Sequence, residues 1–503
     1  MGHHKMKSRF FNKPLKHENH KRPMTRREFL SQGFMASCAA VTAPSLLNIF
    51  AGINNANATG HDCGIGSIIA GNKIPFVNID LSGGANIAGS NVMVGGPGGQ
   101  LDFLAEEGYS KLGLPADMLP ALPGQLNTEL GLAFHADSAM LRGILSKTSV
   151  TTRANVNGTV LCARSENDTS NNPHNPIYGI NKAGANGDLV SLVGTRSSDS
   201  GGKSQAPENM IDPTVRPTRV VKPQDAMGLV DTGKLLSLLD QQDATRVMQT
   251  IERISALKIN KLAETQEIKN IVQCGYAQTV DLVSRYGDPN VLNANADTDL
   301  IGAAESIFTA EDLNNDDLLK VASIAKLVIN GFAGAGTISL GGYDYHDSSR
   351  ATGEVKDFLA GQAIGATIEY AARKNTPVMV YVFSDGSVAS NGEIDNSAEG
   401  RGKGIWKGDN SSTSSVFFLV YNPNGQSQLV TPTSQQIGYF RPTGSVETAA
   451  SPISNNVGLL AETVVLNYLA LHDEVNRLTE VLPNHGLGAA NTIDSLVAFQ
   501  PIV

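Results

Sequence analysis

Two apolar stretches decide the fold: residues 74–81 read IPFVNIDL, and residues 378–383 read VMVYVF. Both carry large apolar residues on both alternating faces, which is typical of strands in a parallel sheet that is covered on both sides. Four more apolar runs bounded by turn residues predict further strands, at Thr159 to Ala163, Leu189 to Val193, Gly336 to Leu340 and Ser415 to Tyr421.

Segments with helical periodicity alternate with these strands. Long amphipathic helices are predicted at 231–286, 318–330, 355–374 and 456–481. The alternation of strand and helix favours a doubly wound α/β layer structure. Because the stretch from about 231 to 330 has no strand signal, we interpret it as a helical insertion or cap packed on the sheet.

The chain begins with a basic leader. Arg26 and Arg27 follow this leader, and a weakly apolar run from Phe34 to Ile53 comes next. A twin-arginine pair in this position predicts a signal peptide that directs a folded protein to the Tat translocase. We therefore expect a periplasmic, extracellular or cell-surface protein.

The end of the leader allows two interpretations. The sequence ANA at 56–58 fits a small-x-small cleavage site, which predicts a signal peptide at 1–58 and a mature α/β domain at 59–503. Alternatively, MASC at 35–38 resembles a lipoprotein box, which would leave Cys38 lipidated and the protein tethered to a membrane.

Charge argues against nucleic-acid binding, and hydropathy argues against a transmembrane helix. The net charge of −9 argues against binding to nucleic acid, and no long basic patch remains beyond the leader, so anionic polymers are not expected partners. A spanning helix needs roughly 18 uninterrupted apolar residues, and no later segment has them. We expect no transmembrane span.

Acidic residues gather at the ends of the predicted strands: Asp80, Asp344, Asp385 and Asp409, with His346 beside them. Ligands in open α/β sheets bind at the carboxyl ends of the strands, and carboxylates that converge there repel each other unless a divalent cation is bound. The D-x-H spacing of Asp344 and His346 places both side chains on the same side of an extended segment, which suits a shared metal. The alternative is that these residues are ordinary turn formers.

Several motifs together resemble a known family. They are the RREFL leader, LSGGAN at 81–86, FHADSAMLRGI at 134–144, ARSENDTSNNPHNPIYGI at 163–180, GGYDYHD at 341–347 and VYVFSDG at 380–386. The set resembles the Tat-exported branch of the alkaline phosphatase and sulfatase superfamily. The resemblance implies a three-layer α/β/α sandwich with a metal site at the sheet edge. It also implies a one- or two-metal hydrolase that activates a Ser, Thr or water nucleophile.

The chain departs from the family pattern at ligand positions. Asn86 stands where the family has a charged ligand after the first strand, and Asn410 stands within its usual Asp-His-Gly triplet. Neutral amides in these places disfavour a zinc pair. The remaining oxygen-rich set suits one divalent cation (Ca²⁺, Mg²⁺ or Zn²⁺) or no metal.

Three other side chains are candidates for a role at the site. Ser82 is the hydroxyl nearest the end of the first strand and is a candidate nucleophile, although a Ser beside Gly-Gly is also typical of turns. His174 is a candidate ligand because its loop is rich in Asn, and the alternative is a structural hydrogen-bonding role. Trp406 either covers the cleft or anchors its own loop.

Two hypotheses for the function follow. The first is an exported alkaline-phosphatase-like protein with a partly degenerate metal-hydrolase site, whose substrate would be a small or polymeric phosphate or sulfate ester. The second is a non-catalytic binding or assembly module at the cell surface, built on the same fold. Asp344 and His346 favour the first hypothesis, whereas Asn86 and Asn410 favour the second.

Overall fold

The computed structural model describes residues 73–165, 172–230, 241–259 and 266–503. The predicted signal peptide at 1–58, its cleavage site and Cys38 lie outside the described residues. Export, cleavage and lipidation therefore stay predictions.

In the part of the chain that the structure describes, the strands form one large sheet and three small ones. They are β1 Phe76–Ser82, β2 Leu126–Leu130, β3 Leu132–His135, β4 Val156–Leu161, β5 Val190–Gly194, β6 Thr218–Arg219, β7 Ala333–Gly341, β8 Val378–Ser384, β9 Val388–Asp395, β10 Lys403–Asp409, β11 Val416–Tyr421, β12 Gln436–Ile437, β13 Phe440–Arg441 and β14 Ser445–Val446. The large sheet has eight strands in the order β12-β4-β11-β8-β1-β7-β5-β6. All six strands predicted from the sequence overlap members of this sheet.

The sheet is mostly parallel, with one strand reversed. β1 pairs in parallel with β7 and β8, and β5 pairs in parallel with β6 and β7. β11 instead runs antiparallel to both of its neighbours, β8 and β4. The expectation of a parallel sheet is therefore correct for most strands and wrong for β11. The continuous apolar run of β11, VFFLVY, carries no information about strand direction.

Within the described residues, the α-helices of four residues or more are α1 Glu106–Lys111, α2 Ala139–Lys147, α3 Val150–Arg153, α4 Ile177–Lys182, α5 Pro223–Met227, α6 Gln241–Ile259, α7 Gln266–Arg285, α8 Asp316–Ile329, α9 Ala351–Arg373, α10 Val457–Ala470, α11 Leu478–Val481 and α12 Ala490–Ser495. Short 3-10 turns lie between several of them. Within the described ranges, none of these helices is long and apolar enough to cross a membrane.

Helices cover both faces of the sheet. On one face, the ring of Phe76 in β1 packs edge-on against Tyr468 of α10, with ring centroids 5.8 Å apart. On the other face, Gly336 lies beside Val77 in register, and a Cβ built on Gly336 would lie 2.7 Å from the side chain of Ile324 in α8. The structure is therefore a mixed α/β sandwich, with a large sheet between two helical layers.

The helices α2 and α9 pack at backbone distance. A Cβ built on Gly361 of α9 would lie 2.0 Å from the carbonyl oxygen of Met140 in α2, and a Cβ on Gly143 would lie 2.1 Å from the carbonyl oxygen of Phe358. Real Cβ atoms do not come this close to a backbone oxygen. Glycine at both positions is what allows the two helices to touch.

The predicted helical insertion contains two kinds of helix. α6 and α7 pack against each other and belong to a compact unit distinct from the sheet domain. α8, which the sequence grouped with them, packs on β7 and α9 within the sheet domain. The helical stretch without strand signal is thus divided between two units.

The predicted helix at 456–481 is broken into two. α10 ends at Ala470, and α11 begins at Leu478. Between them Asp473 adopts a left-handed φ of 55°, while the amide of Glu474 donates back to the carbonyl of Leu469. This closing turn satisfies carbonyls at the helix end and explains why the helical periodicity does not continue as one helix.

A buried group of charges joins α9 to the β9–β10 hairpin; we call it the Glu354 cluster. Glu354 accepts hydrogen bonds from Arg350 Nε at 2.9 Å, Lys403 Nζ at 2.8 Å and Arg142 Nη2 at 2.7 Å. Lys403 is fully buried, and Arg350 is only 1% exposed. The guanidinium of Arg350 also stacks on Trp406, 4.5 Å from the ring centroid. Trp406 is fully buried in β10, so it anchors the β9–β10 hairpin and is not a lid.

Candidate functional site

The loops that carry the predicted site residues meet at one edge of the sheet. β1, β7 and β8 are parallel neighbours, so the residues that follow them emerge at the same edge. Asp409 is the last residue of β10 and comes before β11 in the chain. Because β11 runs antiparallel to β8, the segment that leads into β11 lies at this same edge.

Three of the predicted ligands lie together at this edge. The Nε2 atom of His346 lies 2.8 Å from Oδ1 of Asp344 and 3.4 Å from Oδ1 of Asp409. One ligand atom from each residue lies within 4.8 Å of the others. The three side chains are between 36% and 58% exposed, so solvent and small ions reach them. We call this group the Asp-His-Asp cluster.

Two buried tyrosines orient two members of this cluster, Asp344 and His346, so that their side chains face solvent. In the sequence YDYHD at 343–347, Tyr343 and Tyr345 point inward and are at most 1% exposed, whereas Asp344 and His346 alternate with them and point outward. The Tyr343 hydroxyl donates to the carbonyl of Lys356 at 2.8 Å. This alternation explains why the D-x-H spacing places the carboxylate and the imidazole side by side.

A glycine lets the loop after β7 approach the loop after β1. Gly83 has a φ of +143°, and a Cβ at this position would lie 2.2 Å from the backbone nitrogen of Asp344. The amide of Gly83 donates to Oδ1 of Asp385 at 2.8 Å. Gly83 therefore lies between the Asp344 backbone and the Asp385 carboxylate, and any side chain there would push the loops apart.

Asp80 is fully buried and has hydrogen-bond partners different from those of the Asp-His-Asp cluster. Its carboxylate accepts hydrogen bonds from the amides of Lys203 at 2.6 Å and Ser204 at 3.1 Å, and from the Ser204 hydroxyl at 2.9 Å. Burial raises the pKa of Asp80, the nearby Asp385 raises it further, and the hydrogen bonds from Lys203 and Ser204 oppose this rise. Asp80 holds the 202–204 turn against β1 and is not part of the Asp-His-Asp cluster.

Ser82, the predicted nucleophile, is only 3% exposed. Its Oγ lies 2.9 Å from Oγ of Ser339 in β7 and 3.5 Å from Oδ1 of Asp80. The hydroxyl is thus engaged with its neighbours in the sheet, on the buried side of the strand end.

The two asparagines that the resemblance would place at ligand positions make local hydrogen bonds. Asn86 donates from Nδ2 to the carbonyl of Val388 at 2.8 Å, and its amide donates to the Tyr345 hydroxyl at 2.9 Å. Asn410 accepts from the amide and the hydroxyl of Ser412, at 3.1 and 2.6 Å, and so caps a 3-10 turn. Both side chains connect loops, and neither belongs to the Asp-His-Asp cluster.

His174 is buried deep beneath the sheet edge. Its ring stacks on Phe383 of β8, with centroids 5.9 Å apart and planes inclined by 17°. Neither ring nitrogen has a hydrogen-bond partner among the described residues. Burial lowers the pKa of His174 to about 3, so the imidazole is neutral at ordinary pH. His174 lies apart from the three exposed ligands.

One group of charged residues near this edge has no signature in the sequence. A cleft at the carboxyl ends of β5, β6 and β7 is lined by Arg196, Lys203, Arg219, Lys222 and Lys320; we call it the cationic cleft. These residues belong to separate segments, so no basic run announces them. The available signal was that basic residues recur through the long polar stretch at 195–222, next to the strand ends.

The relation of this chain to known proteins rests on its motifs alone. The sequence matches no protein-family model and no curated protein. The resemblance carried by GGYDYHD, VYVFSDG and the other motifs therefore stays an inference.

Proposed function

We propose that this protein is an exported, alkaline-phosphatase-like protein that binds one divalent cation and hydrolyses phosphate or sulfate esters. The observation that carries the proposal is the Asp-His-Asp cluster, in which three potential ligand atoms lie within 4.8 Å of one another at the carboxyl edge of the sheet. This is the edge at which open α/β sheets bind ligands.

The donor set fits a single cation. Two carboxylates and one imidazole offer three ligands, and their exposure leaves further coordination positions for water and substrate. A bound cation would polarise an ester oxygen and lower the pKa of a bound water. Asp344, His346 and Asp409 would hold and orient the cation, and the buried tyrosines would keep two of these side chains in place.

The exposure of the cluster favours water over Ser82 as the nucleophile. A nucleophile must reach the reacting atom, and the Ser82 hydroxyl is buried and paired with Ser339. Solvent has direct access to Asp344, which is 58% exposed. A water molecule activated at the cluster is therefore the simpler arrangement.

A specific observation also supports the second candidate, a non-catalytic binding or assembly module on the same fold. Asn86 and Asn410 are committed to structural hydrogen bonds, and Asp80 holds a turn. A second cation, which two-metal ester hydrolases use to stabilise the leaving oxygen, has no ready ligand set at these three residues.

Metal analysis tests the proposal. The purified protein is loaded with Mg²⁺, Ca²⁺, Mn²⁺ or Zn²⁺, dialysed and assayed for bound metal by mass spectrometry, alongside Asp344→Asn. Asp347→Asn is the matched control, because Asp347 lies in the same loop but binds Ser349 and Thr352. We expect one equivalent of metal in the wild type and in the control, and none in Asp344→Asn.

Turnover then separates the two candidates. Metal-loaded protein is assayed with p-nitrophenyl phosphate and p-nitrophenyl sulfate. Metal-dependent hydrolysis of either ester that is lost in Asp344→Asn supports the hydrolase. Bound metal without hydrolysis supports the binding module, and a metal-free wild type after loading rules out the proposed cation site.

A further inference from the structure

The cationic cleft has a volume of about 880 Å³ and lies wholly within the sheet domain. Thr195, Ser339 and Gly341 line it from the ends of β5 and β7, and Arg219 lines it from β6. Strand ends of neighbouring parallel strands thus form its floor. This position is where open α/β folds place ligands.

The charge in this cleft is not balanced by the protein. Asp316 and Asp317 also line the cleft, and Lys320 pairs with Asp317 at 2.7 Å. The other four basic side chains have no carboxylate within ion-pair distance among the described residues; they are Arg196, Lys203, Arg219 and Lys222. All four residues are exposed, so their charges are accessible to a ligand from solvent, in a chain whose net charge is −9. This local excess of positive charge favours an anion in the cleft.

The wall that presents Arg196 and Lys203 is fixed in place. The amide of Arg196 donates to the carbonyl of Gly201 at 2.9 Å, which closes the loop after β5 on itself. The buried Asp80 accepts the amide of Lys203, so the loop is tied to β1. A Cβ built on Gly202 would lie 2.5 Å from Oδ2 of Asp80, so the backbone of this loop packs directly against the Asp80 carboxylate. Such preorganisation lowers the entropic cost of binding.

The cleft also offers neutral hydrogen-bonding groups. The hydroxyl of Ser339 lies at its floor and contacts Ser82. Ser197 and Ser198 line the wall, where the Ser198 hydroxyl donates to the carbonyl of Gly202 at 2.6 Å. Guanidinium and hydroxyl groups together suit oxyanions with several acceptor oxygens, because arginine binds such groups in a bidentate manner.

We propose that the cationic cleft binds a multivalent anionic ligand through its phosphate or sulfate groups. Arg196 and Arg219 would supply bidentate hydrogen bonds, and Lys203 and Lys222 would supply point charges. None of the three residues of the Asp-His-Asp cluster lines the cleft, so the proposed binding needs no metal. The site therefore exists whether or not the protein hydrolyses esters, and it gives Asp80 the role of a positioning residue.

Calorimetric titration in EDTA at low ionic strength tests the proposal. The probes are inorganic pyrophosphate for the phosphate arm and a disulfated disaccharide for the sulfate arm, and the unsulfated disaccharide is the neutral control. We expect saturable binding of at least one anionic probe, none of the neutral sugar, and weaker binding at higher salt. The arm that binds identifies the source of the oxyanion.

Three variants locate the binding site. Arg219→Gln should weaken binding about tenfold, since it removes a charge-assisted bidentate contact. Arg441→Gln, which removes the same charge outside the cleft, should leave the affinity unchanged. Gly202→Ala keeps every charge but displaces the loop, and it should weaken binding while circular dichroism shows a folded protein.

Two results would overturn the proposal. One is the absence of binding in both anionic arms. The other is equal weakening by Arg219→Gln and Arg441→Gln, which would show a response to net charge alone. Because all titrations contain EDTA, neither result depends on the outcome of the metal analysis.

Discussion

Replacing Glu354 by Gln should destabilise the protein strongly, because the carboxylate neutralises buried cations. Glu354 is 5% exposed and accepts from Arg350, Lys403 and Arg142 at 2.7 to 2.9 Å. In the variant, Lys403 keeps a contact with Asp137 at 3.2 Å, whereas the guanidinium of Arg350 has no other carboxylate partner among the described residues. Removing one partner of a buried ion pair costs about 3–5 kcal/mol.

The pH dependence of this effect has a defined sign. Burial by itself raises the pKa of Glu354, but the charges of Arg350 and Lys403 outweigh burial and hold the pKa below its ordinary value of 4.5. A lowered pKa in the folded state contributes stability that is present above pH 4.5 and is lost as the pH falls through the folded pKa. The difference between wild type and Glu354→Gln should therefore be full at pH 7 and should shrink in acid.

Urea unfolding followed by tryptophan fluorescence measures this directly. Trp406 is the single tryptophan of the chain and is buried against Arg350, so its emission reports on the cluster itself. The control is Glu393→Gln, which removes an exposed partner of Lys407 in the same hairpin and should cost less than about 1 kcal/mol. If Glu354→Gln is no more destabilising than this control, the cluster is not a determinant of stability.

Two further predictions concern packing and buried acidity. Gly361→Ala should lower the unfolding free energy by about 2 kcal/mol, because its Cβ would lie 2.0 Å from a backbone oxygen, and this outweighs the better helix propensity of Ala. The control is Gly341→Ala, which has open space around its Cβ and should leave the unfolding free energy unchanged in the same urea assay. Equal effects of the two substitutions would contradict the packing argument. Burial raises the pKa of Asp357 to about 7 from an ordinary 3.8, so its contribution to stability is complete below pH 3.8 and is lost as the pH rises through 7. The difference in unfolding free energy between Asp357→Asn and wild type should therefore shift by roughly 4 kcal/mol in favour of the variant between pH 4 and 7.5. If the unfolding free energies of the two proteins change in parallel with pH, this reasoning is wrong.

The fold was largely predictable because its signals are local. Apolar runs such as IPFVNIDL identify buried strands, and the helices between them follow from periodicity. Strand direction is not a local property, so the reversal of β11 was missed. The broken helix after Ala470 was missed for a similar reason, since a left-handed Asp473 is decided by the turn that it closes.

The part of the candidate site formed by Asp344 and His346 was predictable, because it follows from the alternation of side chains along an extended segment. The YDYHD sequence places Asp344 and His346 outward because Tyr343 and Tyr345 are buried. The division of the acidic residues into an exposed cluster and a buried layer was not predictable, because it depends on a loop over a hundred residues from Asp80 that donates to its carboxylate. The cationic cleft likewise arises from residues that are distant in sequence.

The segment between β8 and β11 is not needed to build the sheet. The two strands are antiparallel neighbours, with Phe417 opposite Val382, so a short turn would join them. The chain instead makes an excursion through β9 and β10, which delivers both Trp406 and Asp409. Strand order therefore does not depend on this excursion, whereas Lys403 and Trp406 tie its composition to the Glu354 cluster. Asp409, the last residue of β10, does not belong to that cluster, so the proposed cation ligand can change while the buried charges stay paired.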